Sequence, residues 1–186
     1  MLLTLGLLYH HATLLPLILI ATFNAPIFTN AILKNLKKMK NIKVYISGKI
    51  GEEVISEATR QKFARAERML RAKGYEVFNP CNAAWQHVLK RGHETELFEK
   101  GGMKANAIPF YDYCLLRDLM AMSAKDAVYF LRDWDESSGA NTEHSFAVAT
   151  GKRLLWERLE DAQVFHGDDE KPEDVWLPIA GKEGGV

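Results

Sequence analysis

Cysteine is scarce: Cys81 and Cys114 are the whole supply in 186 residues, too few and too isolated for a disulfide scaffold. No C-x-x-C or H-E-x-x-H occurs, and the six histidines follow no ligand spacing, so no zinc site is expected. The residues imply no other cofactor. Charge of one sign is lacking too, since 24 basic and 24 acidic side chains give a formal net charge of zero. That balance argues against a nucleic acid polymer as partner, because neutralising phosphates needs a basic surplus. Internal repeats are absent. What is present is an ordinary globular composition, 47% hydrophobic and 26% charged, in a chain long enough to bury a core without staples.

The N-terminal stretch lacks charge altogether until Lys34. Leu2–Leu8 and Leu14–Ala21 are apolar, broken by His10, His11 and Pro16, and a basic cluster of Lys34, Lys37, Lys38, Lys40 and Lys43 follows. A membrane anchor needs roughly 20 apolar residues, a length reached only by counting in those histidines and the proline. A cleaved leader would place basic residues before the apolar run and a small-x-small site after it. Neither is present. The third reading is an extension from an upstream start, because Met39 opens directly onto Lys-Asn-Ile-Lys-Val-Tyr-Ile-Ser-Gly. Residues 1–38 are thus set apart as an apolar extension, 39–160 carry the chemistry, and 161–186 form a polar tail. A cytoplasmic location is expected. Were the extension an anchor, its basic flank would still hold the following domain in the cytoplasm.

Ile42–Ser47 is β-branched and alternating, and reads as a strand closed by Gly48. Glu53–Lys73 reads as an amphipathic helix with Ile55, Phe63, Ala66 and Leu70 on one face and Gly74 as its stop. Tyr75–Phe78 is a short strand ended by Asn79-Pro80, and Asn82–Lys90 is helical. Arg91–Ala107, with Gly92, Gly101 and Gly102, reads as an exposed excursion or lid. Tyr111–Ser123 is a helix, Asp126–Leu131 a strand, Arg132–Gly139 a loop, Ala140–Thr150 a helix and Arg153–Trp156 a strand. This alternation predicts an α/β fold, a flavodoxin-like or Rossmann-like parallel sheet with helices on both faces. Gln163–Asp174 is polar, acidic and expected to be mobile, and Trp176–Ile179 is apolar enough to dock.

Ligands of open parallel sheets bind beyond the carboxyl ends of the strands. Three segments converge there: Ser47–Glu52, Asn79–Asn82 and Arg132–Glu143. Gly48-Lys49-Ile50-Gly51 offers N–H groups and one ammonium to an anion, or is simply a tight turn. Glu143, near a helix start, either complements the helix dipole or is a nucleophile facing a ligand. Asp118 shares a helix with Leu115, Leu119 and Met122, and would be solvated beside Arg117 unless it serves the site. Tyr45 sits between Val44 and Ile46 in a buried strand, where its hydroxyl needs a partner. Trp85, Phe110, Tyr111, Tyr113 and Trp134 are stacking faces for a base or core residues. His144 is equally well a bystander.

The ordered set Val-Tyr-Ile-Ser-Gly48, Phe63…Ala66…Leu70…Gly74-Tyr-Glu-Val-Phe-Asn-Pro80, Tyr113…Arg117-Asp-Leu, Asp126-Ala-Val-Tyr-Phe-Leu and Trp134…Ser137-x-Gly139-Ala…Glu143…Ala147…Gly151 resembles the nucleoside 2-deoxyribosyltransferase superfamily. The likeness spans about residues 42–156 and is nearest to its phage and bacterial deoxyribosyltransferase-like branch. The resemblance implies an enzyme that cleaves an N-glycosidic bond in nucleotide metabolism, as hydrolase or transferase. Glu143 would attack C1′ of a 2-deoxyribosyl group, Asp118 would assist at the base or the nucleophile, and Tyr45 would position Glu143. Ser47, Gly48, Lys49, Asn79, Trp134, Ser137, Ser138, Gly139 and Asn141 would bind substrate.

One departure bears on the substrate. Nucleoside users in this superfamily hold the sugar 5′-hydroxyl with a carboxylate six residues before the nucleophile, where this chain has Ser137, as in the 2′-deoxynucleoside 5′-monophosphate N-hydrolases. Hydroxyls and helix N–H groups accept a phosphate that an Asp would repel, and Lys49 adds a positive charge. Asp135 and Glu136 act in the opposite sense. The excursion at 91–107 has no counterpart in the family pattern. The small-molecule partner is thus a deoxynucleotide or deoxynucleoside, and a homo-oligomer is expected, with Trp176–Ile179 closing a neighbour's pocket or docking on its own subunit. Two rivals remain: an enzyme like the Toll/interleukin-receptor-like NAD hydrolases, and a nucleotide-sensing module without turnover.

Overall fold

The computed structural model describes residues 42–52, 54–95 and 104–179. Four strands form one sheet: β1 (Lys43–Ser47), β2 (Glu76–Phe78), β3 (Ala127–Phe130) and β4 (Arg153–Trp156). Their order is β2-β1-β3-β4 and all pairs are parallel, with Tyr45 opposite both Phe78 and Val128, and Phe130 opposite Trp156. This is the predicted parallel α/β sheet, with a flavodoxin-like strand order. The near-continuous apolar runs of β1 and β3 suit strands covered on both sides. Val44, Tyr45, Ile46 and Ala127–Leu131 are buried. Since β1→β2 runs one way across the sheet and β2→β3→β4 the other, right-handed crossovers send their helices to opposite faces.

Helix α1 (Glu57–Ala72) starts later than the apolar periodicity suggests. Ser56 caps it, accepting the Thr59 N–H at 3.2 Å. The Glu52 carboxylate accepts from the Ser56 N–H and from Thr59 Oγ1. A hydroxyl cap held from behind by a carboxylate fixes the first turn more firmly than an apolar stripe can. Ile55 therefore leaves the helical face and joins a cavity wall. At the other end Gly74 takes φ 95°, the left-handed geometry that lets the Tyr75 N–H return to the Leu70 carbonyl.

Helix α2 (Ala83–Thr95) runs through Gly92, so residues 91–95 are not part of an excursion. His93 Nε2 lies 2.9 Å from the Ile108 carbonyl. Ala105–Ala107 forms a 3-10 turn, with Ala105 buried against Leu89 and Tyr113. The lid expectation for 96–103 lies outside the described residues. Helix α3 (Phe110–Ser123) leads to β3. The predicted loop 132–139 instead contains a 3-10 turn at Trp134–Glu136 and the start of α4 (Ser138–Ala149), capped by Ser137.

The tail is more structured than its acidity suggested. Helices α5 (Leu159–Val164) and α6 (Pro172–Val175) occupy it, and Arg153 pairs with Glu170 at 2.5 Å. Trp176 forms a parallel bridge with Trp156, where a fifth strand would lie. The Leu177 N–H donates to the Trp156 carbonyl at 2.8 Å, and the Tyr129 hydroxyl to the Leu177 carbonyl at 2.7 Å. The apolar tail thus docks on its own sheet edge, the second of the two expectations. Residues 1–38, and with them the extension or anchor, lie outside the described residues. Among the described residues no helix is long and apolar enough to cross a membrane.

Candidate active site

The strand order reverses between β1 and β3, and a cavity of about 600 Å³ opens there, at the carboxyl ends where such sheets take ligands. Three backbone segments build its mouth: the turn after β1, the loop from β3 into α4, and the first half of α3. Gly48 is required in the first. A Cβ there would stand 2.8 Å from Leu131 Cδ1 and 2.9 Å from Leu131 Cβ, a distance real side chains do not tolerate. The turn is clipped to the opposite loop. Lys49 donates its N–H to Asp133, 3.3 Å away, and its carbonyl accepts from Lys62 Nζ, which itself pairs with Asp133 at 2.5 Å.

Tyr45 and Ser47 stand two residues apart on β1 and therefore share a face of the sheet. Glu143, in the second turn of α4, meets both. The Tyr45 hydroxyl donates to Oε1 at 2.7 Å and the Ser47 hydroxyl to Oε2 at 2.5 Å. Glu143 is 7% exposed and Ser47 1%. It is therefore not the exposed helix-start residue that sequence position suggested, and dipole complementation does not account for it. Burial pushes Glu143 up to about 8; the Ser47 and Tyr45 donors oppose that shift, and the Asp118 charge adds to it. Burial first, then the charges of Asp118 and Glu143, raise the Tyr45 hydroxyl, so it remains a donor.

Asp118 is also buried, at 8% exposure, rather than solvated beside Arg117. Its Oδ1 accepts from Trp85 Nε1 at 2.8 Å, and burial lifts its carboxyl to about 7 against that bond. Asp118 and Glu143 line the same cavity. Two carboxyls near neutrality in one low-dielectric site can divide acid and base roles between them. The thiols offer no competing nucleophile: Cys81 and Cys114 are each pushed up to about 12 by burial, so both stay protonated.

The remaining expected residues divide. Gly48, Lys49, Ser137, Ser138 and Gly139 line the cavity. Ser47 contacts Glu143 instead of open space. Asn79 turns away, donating to Glu67 and accepting the Cys81 N–H, and Asn141 donates to the Asp135 and Ser137 carbonyls. Trp134 is buried and donates to Asp161 at 3.2 Å. It packs with Phe130, Trp156 and Phe165 around His144. None of these three is in the cavity wall. Sequence reasoning misses Gln86 and Leu89 in the wall and the Lys62–Asp133 clip, and it reads Trp85 as a stacking face or core residue where its indole N–H instead anchors Asp118. Nothing in the local sequence pairs these residues. Among the described residues no cluster of His, Cys, Asp and Glu could hold a metal ion.

Fold and site together define an α/β protein with a cavity at the switch point of a parallel sheet, lined by two buried carboxyls. The chain belongs to the family described as Domain of unknown function (DUF4406), whose model matches residues 42–156. No curated protein sequence matches it. A solved structure of a 2-deoxyribosyltransferase from the psychrotolerant bacterium Bacillus psychrosaccharolyticus is 19% identical, at a TM-score of 0.41, covering 75% of this chain and 98% of that one.

Proposed function

We propose that the protein cleaves the N-glycosidic bond of a 2′-deoxynucleoside or its 5′-monophosphate through a covalent intermediate on Glu143. The observation that carries this reading is the pair of hydroxyls on the two oxygens of Glu143, in the wall of a cavity that also holds Asp118. A glutamate Oε attacks C1′ as the C1′–N bond breaks, and the bond's electron pair leaves with the base. A proton from the Asp118 carboxyl neutralises the departing nitrogen. Water or a second base then attacks C1′, Glu143 departs as carboxylate, and Asp118 recovers its proton. The 2-deoxy sugar suits this path because its transition state is oxocarbenium-like and a facing carboxylate stabilises it. The sugar's 5′ group would lie toward Lys49 and the Ser137–Gly139 start of α4.

Incubating the full chain with deoxynucleosides, their 5′-monophosphates and NAD, with free bases resolved chromatographically, tests the reading. Base released from a deoxyribosyl compound is the expected result. Nicotinamide released from NAD alone, or saturable binding without product, would replace it with the rival enzyme or the sensing module. The same reading has the enzyme act as a homo-oligomer. Exposed Leu116 and Met120 on α3 and Val148 on α4 supply apolar surface for self-association, and sedimentation of the full chain checks it.

A further inference from the structure

The mouth of the cavity holds an ion pair of which the protein supplies both halves. Lys49 carries the ammonium and Glu136 the carboxylate, with Nζ and Oε2 2.9 Å apart and side chains 46% and 63% exposed. Both residues line the cavity. Among the described lining residues Lys49 is the only cation, while Glu52, Asp118, Glu136 and Glu143 are all acidic. Glu136 directly precedes Ser137, the cap of α4. A protein carboxylate therefore lies across the mouth on the one positive side chain that an anionic substrate would seek. The Lys49 backbone is tied to the neighbouring loop through its N–H on Asp133 and its carbonyl on Lys62, while its exposed side chain can change partner. Exposed ion pairs are weakly held, and a phosphate, with more charge and more acceptor oxygens than a carboxylate, displaces one readily.

Building on the deoxyribosyl reading of the cavity, we propose that Glu136 is a specificity-determining residue whose carboxylate occupies, on Lys49, the place of a substrate's 5′-phosphate. A deoxynucleoside enters without disturbing the pair. A monophosphate must displace Glu136 before its own anion reaches Lys49, so the native residue lowers selectivity for the nucleotide. Replacing the carboxylate by an amide of the same size frees the ammonium for the substrate's phosphate.

The test compares kcat/KM for a deoxynucleoside and its 5′-monophosphate in the wild type, Glu136→Gln, Lys49→Met and the double variant. The ratio of monophosphate to nucleoside is expected to rise about fivefold in Glu136→Gln and to fall about tenfold in Lys49→Met. In the Lys49→Met background, Glu136→Gln should lose most of its effect. An unchanged or lower ratio in Glu136→Gln overturns the proposal, as does an equal rise with and without Lys49, which would mean repulsion at a distance rather than competition. Calorimetric affinity for the monophosphate should follow the same order across the four proteins. If base is released from neither compound, the glycosidase reading fails, while the affinity series still decides the Glu136 proposal; no binding in any of the four proteins overturns it.

Discussion

Tyr45 and Ser47 each donate to one oxygen of Glu143, and both bonds act against the burial that raises its carboxyl. The proposed reaction uses the pair with one proton, on Asp118, and one charge, on Glu143; because Glu143 is raised above Asp118, this is the less populated of the two singly protonated forms. With carboxyls near about 7 and about 8, kcat/KM should be bell-shaped and peak between those values, the limbs belonging to the pair and not to either residue. Ser47→Ala removes a donor that lowers Glu143, so the profile should move to higher pH; an unmoved profile would show that Ser47 only packs. Stability gives an independent sign. The folded value of about 8 exceeds the ordinary 4.5, so the contribution of Glu143 is fully present below the ordinary value and is lost as pH rises through the folded one. Glu143→Gln abolishes that loss. Its melting temperature relative to wild type should climb between pH 4.5 and about 8 and then level off, which thermal melts across the window will show.

At the scale of elements, two features hold the sheet's ends. Gly48 lets the turn after β1 pass against Leu131, and Gly48→Ala forces a clash with the Leu131 side chain. Overpacking of this kind costs about 1–3 kcal/mol, or several degrees in melting temperature, and should lower activity by moving Lys49 and its clipped loop. The α6–Leu177 strap is the second. It pairs with the outer edge of β4 and satisfies the Tyr129 hydroxyl, and sheet edges left open invite association. Deleting residues 172–186 should lower the melting temperature and increase aggregation in sedimentation; an unchanged melt would show the strap to be ornamental. Neither feature was fully legible in the sequence. Gly48 was visible as the end of a strand, but its reason, Leu131, lies across the sheet. The tail's composition suggested mobility, and its order rests on partners the sequence does not pair: Arg153–Glu170, the Trp156–Trp176 bridge and Leu177 on Trp156 and Tyr129.

For the whole molecule, strand and helix alternation sufficed to predict the parallel sheet, because apolar strands of this length need cover on both faces. Local pattern and sheet topology brought the segments around Ser47 and Glu143 to the strand ends, but the roles of Tyr45 and Glu143 were legible only through the family resemblance. Asn79, Trp134 and Asn141 lie near the same strand ends but are held by Glu67, Asp161 and backbone carbonyls, tertiary partners that no spacing announces. The zero net charge likewise hides a cavity wall in which, among the described residues, the acids outnumber one cation, Lys49. The account rests on Glu143 as the group that attacks C1′. Its most direct test is the rate of base release from a deoxynucleoside or its monophosphate by wild type and by Glu143→Gln, with circular dichroism confirming that the variant is folded. The expected result is release by the wild type and a loss of at least about a thousandfold in the variant, on the scale seen when a covalent nucleophile is removed. Turnover in the folded variant within tenfold of wild type would contradict the account.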